Sequence, residues 1–292
     1  MKQDATLKSV GFAMVAAGLF AGLTFSSREA RADDEGMWVD RKQTLPPLVI
    51  AVDGGLGFGH WGVSVDTPAG SVSTGGLGVG LDAEASIGII PHLTAGARLI
   101  GINFGDDAKA AGAAGYASTY DLQAGYPLFS GADTFNNPEL WARYEFLDME
   151  NVEVGAEARV FVPFANGTRF GLMGGVPVNI HLPGTLRVDT GGYVALGAYD
   201  PILFYFRIPA QVWFNVTDKV FLGPLTGFQV VSAANNTQAS INLGFGVGYS
   251  ILPELDLKVL PIYWPGINND NGVANFGFSV GVEYRIDKLA NR

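Results

Sequence analysis

The chain has 292 residues, of which 48% are hydrophobic and only 16% charged, a composition with a mean hydropathy of +0.22 that favours a membrane protein. Its net charge of −10 and isoelectric point near 4.7 leave no basic surface for a phosphate backbone, which excludes nucleic acid as a partner. Cysteine is absent, which excludes disulfides, thiolate metal sites, a cysteine nucleophile and a lipidated N-terminal cysteine.

The first 32 residues have the three regions of a secretory signal peptide. Two lysines precede an apolar run at residues 10–25, and a short polar stretch then ends in the motif Ala-Arg-Ala at 30–32. The apolar run is shorter than the ~20 residues of a membrane-spanning helix. We therefore predict cleavage after Ala32 rather than an uncleaved anchor, and we assign residues 33–47 as a periplasmic N-terminal extension.

The mature sequence has no apolar run long enough for a helical span, so crossing a membrane requires a closed barrel that satisfies every backbone amide. Apolar residues alternate with small or polar ones over 77–89, 152–162, 239–249 and 274–286, which is the period of a strand with one apolar face. In 152–162, three charged residues share one face and none lies on the other. An apolar face of this kind suits lipid.

Weaker alternation in eight further segments brings the total to about twelve strands. We therefore predict an all-β fold, an antiparallel transmembrane β-barrel that occupies residues 48–292, with 10 or 14 strands as alternatives. The eight weaker segments are 48–58, 93–104, 139–146, 169–181, 186–197, 202–214, 219–230 and 255–263.

The connections predict which end of the barrel faces the periplasm. Short turns, such as the one near 91–92, fall at one end and suit the periplasmic side. Longer connections fall at the other end, and the longest, 105–138, contains a segment at 120–126 that could be strand, making the total 14. The same connection folding inward would form a plug. The long connections are 59–76, 105–138, 231–238 and 264–273.

The C-terminal segment Gly-Val-Glu-Tyr-Arg-Ile at 281–286 resembles the β-signal of bacterial outer-membrane β-barrel proteins. Residues 48–286 as a whole resemble this porin-like class rather than one named family. The resemblance implies location in a bacterial outer membrane, contact with outer-membrane lipid and with the outer-membrane assembly machinery. The chain departs from the class by continuing to Arg292 instead of ending on an aromatic residue.

The same parity turns nearly balanced numbers of acidic and basic side chains inward. It predicts either a polar channel between fixed charges or a lumen filled by ion pairs. The residues we expect to line the lumen are Asp82, Glu84, Arg98, Arg143, Glu145, Glu153, Glu157, Arg159, Arg187, Asp189, Arg207, Glu283 and Arg285.

Three functions remain open on this basis. We expect a narrow passive channel for small polar solutes with a charge-paired lumen. The alternative is a closed structural or surface-interaction barrel, similar to an adhesin, that acts through loops 59–76 and 105–138. A lipid-active enzyme or a transporter of hydrophobic solutes is a third reading. The sequence leaves the solute and the oligomeric state open.

Catalytic and cofactor motifs are weak. The glycine pattern at 57–62 is not followed by a helix that would hold a pyrophosphate, and the Asn- and Asp-rich loop at 268–272 lacks the glutamate of a calcium loop. The three histidines have no serine or orienting group at a recognisable spacing. We therefore predict no enzyme activity, no cofactor and no metal.

Overall fold

The computed structural model describes residues 37–67, 70–104, 138–163, 169–182, 185–198, 200–233, 236–265 and 273–287. Twelve antiparallel strands form one closed barrel, in which each strand pairs with its neighbours in sequence and the first pairs with the last. The predicted fold class and strand number are confirmed. Across the described ranges, no helix is long and apolar enough to span a membrane.

Some predicted features lie outside the described residues. These are the signal peptide at 1–32, the additional strand or inward plug within 105–137, and the Asn- and Asp-rich loop at 268–272.

The strands run from 10 to 21 residues, long enough to cross a bilayer at a tilt. Their bounds are β1 Ile50–Thr67, β2 Gly70–Ile90, β3 Leu93–Phe104, β4 Pro138–Met149, β5 Val152–Phe161, β6 Gly171–Leu182, β7 Leu186–Gly197, β8 Leu203–Asn215, β9 Val220–Ala233, β10 Asn236–Leu252, β11 Leu255–Pro265 and β12 Val273–Ile286.

Alternation along each strand separates an apolar outer face from a polar inner face. In β5, Glu153, Glu157 and Arg159 are buried, whereas the intervening Ala156 and Ala158 are exposed. Large apolar side chains elsewhere lie on the outside with 39 to 55% of their surface exposed, for example in β10. Such a surface requires lipid, because water would leave this apolar area unburied. The outward-facing residues of β10 are Ile241, Leu243, Phe245, Val247 and Tyr249.

The prediction of a loop at 59–76 is wrong. β1 and β2 continue through it, with Gly59 opposite Gly78 and the ladder extending as far as Thr67 opposite Gly70. Glycines and serines in this segment interrupt the apolar pattern from which strands were predicted, but strand pairing depends on backbone hydrogen bonds and not on side chains. The predicted loop at 231–238 is shortened in the same way, because Asn236 of β10 already pairs with Ala233 of β9.

At the end of the barrel where β1 begins and β12 ends, all five connections are short, with two to four residues between the paired strands. They include residues 91–92 between β2 and β3 and residues 253–254 between β10 and β11. In outer-membrane barrels the short turns face the periplasm. We therefore call this end the periplasmic mouth.

The outer face generates a prediction about stability. Val176 lies near the middle of β6 with 46% of its surface exposed. We expect Val176→Arg to lower the free energy of unfolding by roughly 2–4 kcal/mol, because a cation at mid-depth faces hydrocarbon. Denaturant titration in lipid vesicles measures the loss, with Val176→Leu as the control. An equal effect of the two substitutions would contradict a lipid-facing position.

Candidate functional site in the barrel lumen

The inner faces of β4 and β5 carry a chain of ion pairs. Arg143 donates through Nε to Glu157 at 2.7 Å, and Arg159 donates to Glu157 at 2.6 Å and to Glu139 at 2.9 Å. The register produces this arrangement, since Arg143 lies directly opposite Glu157 on the paired strand. The carboxylates of Glu139 and Glu157 are almost completely buried, so their charges need these cations.

Trp141 lies between the two arginines of this chain. The guanidinium carbons of Arg143 and Arg159 are 5.8 and 5.5 Å from its ring centroid, within the range of a cation–π contact. Its indole packs over Gly96 of β3, where a Cβ atom would come within 2.6 Å of the ring. The glycine therefore makes space for the aromatic side chain on the inner wall.

A second group of ion pairs lies on the opposite side of the lumen. Lys258 donates to Glu283 at 2.7 Å and Arg285 donates to the same carboxylate at 2.9 Å. On β7, Arg187 and Asp189 form a third pair at 2.5 Å. At these three places, the described charged side chains on the inner wall contact partners of opposite sign.

Residues 37–49, which we name the strap, cross the periplasmic mouth before β1 begins. At one end, the indole of Trp38 stacks on Phe221 of β9, with ring centroids 4.3 Å apart, and meets Trp213 of β8 edge-on at 5.1 Å. At the other end, Leu48 donates its backbone N–H to the carbonyl of Gly88 in β2 at 2.8 Å. Since β2 and β8 lie six strands apart in a ring of twelve, the strap spans the mouth.

Between its ends, the strap bonds to inward-facing side chains of several strands. The Arg41 guanidinium pairs with Asp256 of β11, which has no exposed surface. The backbone N–H of Gln43 donates to Glu153 of β5 at 2.8 Å. These contacts lie inside the mouth, so the described part of the predicted periplasmic extension lies against the barrel's inner wall.

The inner wall is shaped to receive the strap. A Cβ atom at Gly88 would collide with the carbonyl oxygen of Pro46, and one at Gly155 would come within 2.7 Å of the Gln43 side chain. At Gly248, a Cβ would collide with the ring of Phe221, on which Trp38 stacks. Inward glycines therefore accommodate the strap and its aromatic anchor.

A cavity of about 190 Å³ lies in the lumen beside the strap. Its lining contains seven cationic and four anionic side chains together with three tryptophans, so positive charge is in excess at its surface. The cationic residues are Arg41, Lys42, Arg98, Arg143, Arg187, Lys258 and Arg285, the anionic residues are Asp53, Glu84, Asp189 and Glu283, and the tryptophans are Trp38, Trp141 and Trp213.

The residues predicted to line the lumen fall into three groups. Seven line the cavity: Glu84, Arg98, Arg143, Arg187, Asp189, Glu283 and Arg285. Five are buried on the inner wall beyond it: Glu145, Glu153, Glu157, Arg159 and Arg207. The side chain of Asp82 lies outside the described residues. The role of these residues in lining a channel stays a prediction.

Two contributions to the lumen were missed from the sequence. Glu139 has the same parity as Arg143 on β4, and that signal places it inward. The strap residues Trp38, Arg41 and Lys42 stand in a segment without alternation, so only the concentration of aromatic and basic side chains before the first strand pointed to a role.

The two histidines whose side chains the structure describes, His92 and His181, make contacts at the periplasmic mouth. His181 donates through Nδ1 to the carbonyl of Val39 at 2.9 Å, and its Nε2 is 3.2 Å from Glu153. His92 contacts Glu145 at 2.9 Å. Both rings thus contact carboxylate or backbone oxygens, an arrangement that orients the strap and the turn.

His92, Glu145 and Asp148 offer three possible metal ligands within 4.8 Å of one another. The Lys42 ammonium of the strap lies 2.6 Å from Asp148 and supplies positive charge at this position. Desolvation lowers the pKa of Lys42, but hydrogen bonds to Asp148 and Glu153 outweigh it and hold that pKa above its ordinary value. The group is therefore a strap contact, and we assign no metal to it.

No protein-family model and no curated protein sequence matches this chain. Its fold is similar to the crystal structure of an outer membrane channel from Pseudomonas putida F1, with 14% identity over 83% of this chain and 97% of that chain and a TM-score of 0.55. It is also similar to the NanC porin, with 13% identity over 80% and 98% of the two chains and a TM-score of 0.51. At these identities the likeness concerns the fold, which is that of an outer-membrane β-barrel.

The strap contacts generate a second prediction. Arg41→Ala leaves Asp256 buried without its guanidinium partner, and we expect the free energy of unfolding to fall by about 3–5 kcal/mol. The loosened strap should also be cut faster by trypsin after Lys42, as followed by mass spectrometry of the folded protein. Asp40→Ala is the matched control, because Asp40 is exposed on the same segment. Equal cleavage rates in both variants would show that Arg41 does not hold the strap.

Proposed function

We propose that this outer-membrane β-barrel is a narrow passive channel for small polar solutes, with a lumen lined by paired charges. The observation that carries the proposal is the cavity of about 190 Å³ beside the strap, which is lined by charges of both signs. A barrel filled by its own side chains would leave no such polar space. Fixed charges of both signs offer successive weak contacts to a hydrated solute, as conduction requires.

The fold is compatible with this function. Two structures of similar fold, each with a TM-score above 0.5, are described as an outer membrane channel and a porin. Their descriptions support a channel function for a barrel of this fold. The solute class must come from the lumen of this chain.

The proposal is a channel without catalysis. A lipid-active enzyme would need a nucleophile activated by a base within hydrogen-bond reach. Within the described residues, His92 and His181 instead contact carboxylate or backbone oxygens at the mouth. The Glu157 carboxylate is likewise engaged, because it forms ion pairs with the guanidinium groups of Arg143 and Arg159.

The strap favours a second candidate, a closed structural or surface-interaction barrel. It occupies the periplasmic mouth with buried contacts to several strands, and a permanently docked strap would restrict passage. Of the two loops expected to serve such a function, 59–76 consists largely of β1 and β2, whereas 105–137 lies outside the described residues. Electrical recording separates the two candidates.

Planar-bilayer recording of the purified protein tests the channel. We expect discrete conductance steps for the wild type and severalfold larger steps after deletion of residues 37–47, because the strap narrows the mouth. Asp40→Ala, which changes an exposed strap residue, should leave the conductance unchanged. Circular dichroism checks that the deletion variant retains its barrel.

The absence of conductance steps from the wild type and from the folded deletion variant would refute the channel. A deletion variant that conducts beside a silent wild type would instead identify the strap as a plug.

A further inference from the structure

We infer that the cavity beside the strap binds small organic anions, carboxylates in particular, and that the channel is selective for anions. The selectivity rests on the proposed channel function, whereas binding does not. The protein as a whole carries a net charge of −10, but the cavity lining carries more cationic than anionic side chains. The local sign of charge is therefore opposite to that of the chain.

The excess arises from ion pairs that present only their cationic member to the cavity. Arg143 lines the cavity, whereas its partner Glu157 does not and has no exposed side-chain surface. The same holds for Arg41 with Asp256 on the other wall. Each such pair is a dipole whose positive end faces the solute, and this attracts an anion although the pair is neutral as a whole.

The strap contributes to this asymmetry. Lys42 lines the cavity while contacting Glu153 at 3.1 Å and Asp148 at 2.6 Å, and neither carboxylate belongs to the lining. Its pKa is held above the ordinary value by those hydrogen bonds, so the ammonium stays charged at neutral pH. Docking of the strap therefore covers carboxylates of the mouth and replaces them with cations.

The remaining lining identifies the chemical class of the ligand. Guanidinium groups bind carboxylates through parallel N–H donors, and the indoles of Trp38, Trp141 and Trp213 offer apolar surface for a carbon skeleton. A cavity of about 150 Å³ holds a molecule of the size of benzene. A small carboxylate such as succinate fits both the volume and the charge.

Tryptophan fluorescence tests binding without any conduction. The folded protein in detergent is titrated with sodium succinate at constant ionic strength, and with choline chloride as the cationic comparison. We expect a saturable change with succinate alone. Lys42→Gln should weaken the apparent affinity by about threefold, the effect of one unit charge a few ångströms away in a hydrated site.

Two further variants test whether the effect on binding is specific to the cavity lining. Arg143→Gln should weaken binding at least as much as Lys42→Gln, whereas Arg169→Gln, which changes an exposed cation outside the strands, should have no effect. Lys42 is half-exposed and Glu153 retains His181 and Gln43, so Lys42→Gln preserves the fold. The lack of a saturable response, or an equal response to choline, would overturn the anion site.

The reversal potential in a potassium chloride gradient then reports selectivity. A shift towards the chloride potential, reduced in Lys42→Gln, supports the inference. Conductance steps with a potential at zero or towards potassium would overturn it and leave the channel intact. Saturable succinate binding by a protein that never conducts would refute the channel and retain the site.

Discussion

Hydrocarbon offers no hydrogen-bond partner to a backbone amide, so every amide within the membrane must bond to another part of the protein. This requirement determines the fold. An open sheet would leave two strand edges unpaired in lipid, so β1 and β12 must meet, and their fourteen paired positions close the ring. Closure then fixes the direction of every side chain. Residues of one parity face lipid and must be apolar, and the charged side chains described along β5, Glu153, Glu157 and Arg159, lie on the inner face.

Confinement of the charges creates a second requirement, which the strap helps to satisfy. Carboxylates on β5 and β11 are fully buried, and an unpaired buried charge costs several kcal/mol. Arg41 reaches Asp256, while the backbone of Gln43 and the side chain of Lys42 reach Glu153. The segment that narrows the mouth is therefore also part of the inner electrostatic network. Opening the mouth requires other partners, such as water, for these carboxylates.

The barrel could be predicted from the sequence because one-residue alternation is a local property. The pattern in 152–162 anticipates β5, and its inward charges Glu153, Glu157 and Arg159 are all buried on the inner wall. The segment 59–76 was mistaken for a loop because its glycines carry no side chains to alternate, although their amides pair normally. The strap escaped prediction because contacts such as that between Gln43 and Glu153 join residues more than one hundred positions apart. The excess of cations in the cavity depends on which member of each ion pair lines the cavity. That can be seen only when the register of the strands is known.

The strap also relates chain length to barrel size. It is continuous with β1 at one side of the ring and anchored by Trp38 at β8 and β9 on the other. The number of strap residues must therefore match the diameter of the barrel. Adding or removing a β-hairpin would change that diameter and separate Trp38 from Phe221 or Arg41 from Asp256. Variation in strand number during evolution would therefore have to be accompanied by a matching change in the length of the segment before the first strand.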